Sequence, residues 1–171
     1  MAYLREHAGQ AREARGMPSG AGAPSNGTSE VQTLTITGTP TGGTFKLQFR
    51  GQRTAAIAYN AAAAAVVAAL EALPSVGAGG VTATGGALPG TAVVITFAGA
   101  LAARAQPLIT VVEAAFTGGT APAAAVAETT PGVTATLRDA PIGTPYARTS
   151  NGVVYTKTSA SGGWTVVGAQ T

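Results

Sequence analysis

The residues able to carry chemistry are few and widely spaced. His7 is the only histidine and Asp139 the only aspartate, and the other acids are six glutamates spread along the chain. A glycosidase needs two carboxylates that face each other across the substrate, and Glu71 with Glu113 is the pair that could meet in this way. Both, however, are expected on solvated faces. A Ser-His-Asp arrangement would have to recruit His7 from a terminal segment. The sequence therefore predicts a protein that is not an enzyme.

Cofactor and metal chemistry lack the residues they require. The chain has no cysteine, and metal sites need converging Cys, His or carboxylate groups. Residues 77–80 and 85–86 are rich in glycine, but neither run leads into a helix that begins with Lys and Ser or Thr. They are interpreted as hairpin turns instead of phosphate-binding loops. We expect no metal and no cofactor.

The charge distribution argues against a nucleic-acid partner, and the lack of long apolar runs argues against a membrane one. The 171 residues include 10 Lys or Arg and 7 Asp or Glu, giving a net charge of +3, and the basic residues are scattered. A protein that binds nucleic acid needs clustered Lys and Arg to displace counterions from several phosphates. The first residues lack the apolar stretch of a signal peptide, and no apolar run reaches the ~18 residues of a membrane helix. We expect synthesis and use without Sec export.

The middle of the chain, residues 31–130, carries the strand signals. Residues 37–44 and 84–91 are both turns of Gly, Pro and Thr, and each is followed by a strand with alternating apolar positions. This alternation predicts half-buried strands with one face toward a core. The apolar positions are Leu34, Ile36, Phe45, Leu47, Phe49, Val93, Ile95 and Phe97. We expect each copy to form a hairpin, in which the strands on either side of the turn pair.

One alanine-rich helix is expected between the two hairpins. Val66, Leu70 and Leu73 lie at helical spacing, with Asn60 as the expected N-cap and Pro74 as the terminator. Further short strands are expected at residues 57–59, 108–112 and 124–130. The order ββ(β)α-ββ(β) predicts an α+β fold, mostly antiparallel β.

Residues 1–30 are predicted to form an N-terminal arm. Residues 2–15 are good helix formers, with Gly16 as a candidate C-terminal cap. The following residues 17–27 have the composition of a flexible linker. Because a helix of about four turns is marginal alone in water, two interpretations remain: a frayed terminus, or an arm that becomes ordered on a neighbouring subunit.

Residues 131–171 are predicted to form a small C-terminal β-meander. Asn151 and Gly152 are a strong signal for a two-residue hairpin turn, and this turn would place Arg148 opposite Tyr155. Tyr146, Arg148, Tyr155 and Trp164 could then form an exposed surface on which sugars or bases stack. The aromatic residues could equally be the core of the meander.

Several segments of the middle domain look like one recurring domain. They are residues 31–38, 42–45, 57–61, 68–73, 81–86 and 89–91. The domain resembles one in virion proteins of tailed phages that infect actinobacteria, where it is similar to head decoration or minor capsid proteins. It also occurs within large bacterial surface proteins. Residues 140–146, 151–155 and Trp164 resemble small β-modules of phage head fibres and tail fibres.

The resemblance implies a non-catalytic virion structural protein that binds the outside of a phage capsid lattice as a decoration or cement protein. Its partner would be the major capsid protein, and it would be made in the host cytoplasm. A homo-oligomer is expected, with a trimer at local three-fold positions as one candidate. The candidate capsid contacts in the arm are Tyr3, Leu4, Arg5, Arg12 and Arg15. The alternatives are a tail or fibre component that contacts the host surface, and a bacterial adhesion module.

Overall fold

The structure is a computed structural model and describes residues 19–20, 26–135, 142–148, 153–158 and 163–169. The chain divides into two compact units. The central unit spans Gly27–Thr134, and the second unit combines Met1–Asn26 with Ala135–Thr171.

The described residues form mostly antiparallel strands and one short α-helix, which confirms the predicted fold class. The helix is α1 (Ala63–Glu71), and one turn of 3-10 helix covers Gly99–Leu101. The strands are β1 (Ser19–Gly20), β2 (Val31–Thr37), β3 (Gly42–Phe49), β4 (Gln52–Arg53), β5 (Ile57–Ala58), β6 (Val81–Gly85), β7 (Val93–Phe97), β8 (Thr110–Thr117), β9 (Ala123–Thr130), β10 (Pro145–Arg148), β11 (Val153–Lys157) and β12 (Trp164–Ala169).

The central unit contains two sheets that share one hydrophobic core. The first sheet has the strand order β6-β7-β2-β9, and in the second sheet β3 pairs with β8 along one side and with β4 and β5 along the other. Every apolar position predicted from the alternation is buried. Phe49 of the second sheet packs on Phe97 of the first, with ring centroids 5.4 Å apart. The two sheets therefore lie face to face.

A long antiparallel ribbon runs through both sheets and bends between them. β2 pairs with β9 from Val31↔Thr130 to Thr37↔Ala123, and the same two chain segments continue as β3 and β8 from Gly42↔Thr117 onward. At the bend, which we call the corner, Thr120 N–H donates to Gly38 O (2.8 Å) and Thr41 N–H donates to Thr117 O (2.9 Å). The corner lets one ribbon supply strands to two packed sheets.

The first of the two predicted hairpins is therefore wrong, whereas the second is confirmed. β2 and β3 do not pair with each other, because the turn between them is the corner. β6 and β7 do pair, from Val81↔Phe97 to Gly85↔Val93. The turn residues of both segments supply positive φ angles, but only the second turn folds its strands back onto each other.

Helix α1 packs on the sheets through the predicted face. Val66, Leu70 and Leu73 are buried in the core. The predicted cap is wrong: the N-cap residue is Ala62, which makes no side-chain cap hydrogen bond. Asn60 instead lies in the turn that precedes the helix. Strand β8 begins at Thr110, two positions after the predicted start at Leu108.

The two ends of the central unit are held together. Thr28 and Val133 form an isolated antiparallel bridge in which each residue donates its N–H to the carbonyl of the other, both at 2.9 Å. The bridge lies just beyond the pairing of β2 with β9 and continues the ribbon to the limits of the unit.

The second unit contains the predicted three-stranded antiparallel meander, with strand order β10-β11-β12. β1, from the segment predicted as arm and linker, adds a parallel strand through Ser19↔Ala147 and Gly20↔Arg148. The predicted register is wrong, because Tyr146 and not Arg148 lies opposite Tyr155. The turn predicted at Asn151 and Gly152 lies outside the described residues.

Replacing Gly38 by alanine should destabilise the central unit more than replacing Gly51. The two glycines have similar φ angles (+76° and +79°), but a Cβ at Gly38 would lie 2.4 Å from Thr120 O, whereas Gly51 has nothing within 4 Å. The left-handed backbone costs an alanine about 1–2 kcal/mol at either position, and we expect the clash at Gly38 to add about 1–3 kcal/mol. Urea unfolding of the two variants measures the difference, and equal losses of stability would contradict a tight corner.

Candidate functional surfaces

The two carboxylates considered for acid–base chemistry have separate partners. Glu71 Oε1 accepts a hydrogen bond from Gly79 N–H (2.8 Å), which ties the end of α1 to the loop that follows it. Glu113, on β8, is paired with Lys46 and Arg53. The structure thus gives each carboxylate its own local role. Within the described ranges, no group of three or more His, Cys, Asp and Glu side chains could hold a metal ion.

The outer face of the second sheet carries a small charged cluster. Lys46 Nζ lies 2.8 Å from Glu113 Oε2, and Arg53 Nη1 lies 3.1 Å from Glu113 Oε1. The hydrogen bond from Lys46 is the main cause that lowers the pKa of Glu113; desolvation opposes it, and the positive charges of Lys46 and Arg53 add to it. Glu113 and Arg53 are exposed and Lys46 is half-buried, so the cluster adds little to stability but gives this face its charge.

The outer face of the first sheet is free of charge, and we call it the threonine face. The register and the burial of its strands place only Thr, Ala and Val at the outward positions; Glu128 is exposed on β9 but lies opposite the inward Gln32. These positions are Thr82, Thr84, Val94, Thr96, Val31, Thr33, Thr35, Thr37, Ala123, Ala125, Ala127 and Thr129. The hydroxyls of Thr33 and Thr129 hydrogen-bond each other across β2 and β9 (2.5 Å). The face offers a broad, uncharged surface to a partner.

The predicted aromatic residues come together in the second unit. Tyr146 contacts Tyr155 and Trp164 in edge-to-face geometry, with ring centroids 6.5 Å and 5.8 Å apart. Tyr146 is only 7% exposed, so it forms the centre of this cluster and is not part of an exposed surface. Tyr155 and Trp164 are half-buried. Arg148 is the last residue of β10, two positions after Tyr146. The geometry favours the interpretation of the rings as a core.

The candidate contacts of the arm, Tyr3, Leu4, Arg5, Arg12 and Arg15, lie outside the described residues. Their role stays a prediction. No helix in the part of the chain that the structure describes is long and apolar enough to cross a membrane.

A buried polar network was not found from the sequence. Gln32 is fully buried at an inward position of β2, where it donates to Glu30 Oε1 (2.5 Å) and Pro107 O (3.2 Å) and accepts from Ile109 N–H (2.8 Å). Glu30 Oε2 accepts from Gln106 N–H (2.5 Å). The available signal was a polar residue in the same alternation as Leu34 and Ile36.

The network continues to the surface through Gln106. Its side chain donates to Leu101 O (2.8 Å) and accepts from Arg50 Nη2 (2.8 Å). Arg50 also lies over the Phe49 ring, 5.2 Å from its centroid. Together with the bonds of Glu30 and Gln32, these bonds attach the irregular segment between the 3-10 helix and β8 to the start of β2 and to Arg50, which follows β3. The network is therefore structural: it satisfies backbone groups that have no strand partner.

Comparisons with known proteins leave the family open. No model of a known protein family matches the chain, and no curated protein sequence matches it significantly. The resemblance of the middle domain to phage decoration proteins therefore stays a prediction.

Replacing Gln32 by alanine should destabilise the central unit by about 2 kcal/mol or more. The substitution leaves Ile109 N–H and Pro107 O without their side-chain partner, and each buried group that loses its partner costs roughly 1–3 kcal/mol. Gln48→Ala is the matched control, because Gln48 is half-buried on β3 and a surface change of this kind costs within about 0.5 kcal/mol. Denaturant unfolding measures both; similar losses would show that the network contributes little.

Replacing Lys46 by methionine should raise the pKa of Glu113 toward its ordinary value. Since the folded state lowers this pKa, the ion pair stabilises the fold above the unfolded-state pKa of Glu113, and this contribution is lost as pH falls through the folded-state pKa. NMR titration of the Glu113 side chain measures the shift. Arg53→Met should have a smaller effect, and a larger effect than that of Lys46→Met would contradict the assigned order of causes.

Proposed function

We propose that this chain is a non-catalytic virion structural protein that binds the outside of a phage capsid lattice as a decoration or cement protein. The observation that carries the proposal is the threonine face: four strands of the first sheet present only Thr, Ala and Val outward. The charged cluster of Lys46, Arg53 and Glu113 lies on the other sheet. The sequence resemblance of the middle domain to head decoration proteins supports the same function.

A face of this kind suits attachment to a protein shell. Charged groups must lose water when a protein covers them, and this cost is avoided where a face carries none. Hydroxyl groups at the outward positions can still hydrogen-bond a partner or bridging water. Each copy then buries a modest area, and many copies attached to one lattice compensate for weak individual contacts when they are linked to one another.

The N-terminal arm is proposed as a second contact. Its candidate residues combine aromatic, aliphatic and arginine side chains, which are the types enriched at interfaces. The arm would hold the major capsid protein while the central unit rests on the shell. The virion surface is the proposed location, after synthesis in the host cytoplasm.

Deleting residues 1–16 should leave the central unit folded and abolish binding to empty capsids. The deleted residues lie outside the central unit, Gly27–Thr134, so its core and both sheets remain. Co-sedimentation with empty capsids measures binding, and thermal unfolding checks the fold. Normal binding by the shortened protein would contradict the role of the arm.

The threonine face is tested separately by Thr33→Lys combined with Thr35→Lys. Two desolvated lysines at a shell contact should weaken binding, whereas Gln48→Lys on the second sheet should not.

Immunogold labelling of whole particles distinguishes the proposal from its alternative: labelled heads support a decoration protein, and labelled tails would indicate a tail or fibre component.

A further inference from the structure

Strand β9 is an open edge of the first sheet. β2 is its one strand partner within the described ranges, and the sheet order ends at β9. The edge that faces away from β2 makes no backbone hydrogen bond to another described segment. An antiparallel strand bonds both neighbours through alternate residues. The row of donors and acceptors on this edge of β9 therefore has no partner strand among the described residues.

The open edge of the second sheet, β8, is interrupted in the middle of the strand, whereas β9 is regular over its first five residues. β8 has a bulge at Val112, because Lys46 pairs with Glu113 and Leu47 with Val111, and it carries the ion-paired Glu113. Bulges and charges are the features that keep edge strands from pairing with other chains. β9 has its bulge at Thr129 and its one charge at Glu128, both near its end; from Ala123 to Ala127 it pairs regularly with β2 and carries no charge and no proline. The two edges thus differ in how readily they can be extended.

We propose that β9 pairs antiparallel with β9 of a second copy of this chain, about a two-fold axis that passes through Val126. Two residues that lie opposite each other in antiparallel strands point to the same face of the sheet, and side chains alternate between the faces along a strand. Paired residues of the two copies are therefore an even number of positions apart, which places the axis on a residue and not between two residues. With the axis at Val126, Ala125 of each copy lies opposite Ala127 of the other. The four-stranded first sheet is then continuous across both copies, and so is the threonine face.

The charges and sizes along β9 favour a second copy as the occupant. Glu128 is the only charged residue of the strand, and in this register it lies opposite Ala124, so that no like charges meet. The outward residues at the junction are alanines, which let two backbones approach without a clash. A two-fold contact of this type closes on itself and does not propagate into a fibre. The inference does not depend on capsid binding.

The test uses two pairs of substitutions in the full chain. Ala125→Lys with Ala127→Lys places like charges opposite each other twice in the dimer, whereas Ala125→Lys with Ala127→Glu places opposite charges there. Both residues are exposed, so both variants should fold, which thermal unfolding checks. We expect analytical ultracentrifugation to show a dimer for the original chain and for the Lys/Glu variant. The Lys/Lys variant should dissociate about tenfold more readily.

Thr82→Lys with Thr84→Lys is the matched control, since both residues are exposed on β6, the opposite edge strand of the same sheet. This variant should dimerise like the original chain. Equal dimerisation by the Lys/Lys and Lys/Glu variants would overturn pairing through β9. A chain that is monomeric at every concentration would also overturn it. If the chain is monomeric, hydrogen exchange of the β9 amides should be measured with and without capsids. Protection that appears only with capsids would show that β9 pairs with a strand of the shell.

Discussion

The close approach of two backbones at the corner determines which strands share a sheet. Gly38 lies so near Thr120 and Pro122 that a Cβ there would overlap backbone atoms of both residues. Because this contact turns the ribbon, β2 and β9 go to one sheet while β3 and β8 go to the other. The apolar sides of both arms then face each other, and Phe49 meets Phe97. The shared core is a consequence of the bend.

The buried polar network solves a second problem that the bend creates. The chain between the 3-10 helix and β8 has no strand neighbour, yet Ile109 and Gln106 are buried. Side chains from the start of β2 supply the missing hydrogen bonds through Gln32 and Glu30. A buried carboxylate is costly unless it is hydrogen-bonded, and Glu30 accepts from two donors. Irregular backbone can therefore lie against the core without exposing its polar groups.

The strands and the helix of this fold could be predicted from the sequence more readily than which strands pair with each other. Alternation identified the buried faces of β2, β3 and β7, since it depends only on which residues avoid water. The two glycine-rich turns looked alike because turn residues report positive φ angles and not the identity of the paired strand. The predicted pairing of Arg148 with Tyr155 failed because it rested on the turn signal of Asn151 and Gly152 alone, whereas Tyr146 lies opposite Tyr155. The network of Gln32 could not be predicted because its partners are about 75 residues away; sequence spacing gives no distance at that range.

The bridge between Thr28 and Val133 gives the central unit adjacent ends. The chain enters and leaves the unit at one point, so this unit has the geometry of a module that can be carried within a loop of a larger protein. The same geometry sets its mechanical behaviour. A force that pulls the two ends apart acts on the bridge first and then on the pairs of β2 with β9, one after another, instead of shearing the whole ribbon at once. Tension along the chain is therefore expected to open the unit pair by pair from its two ends.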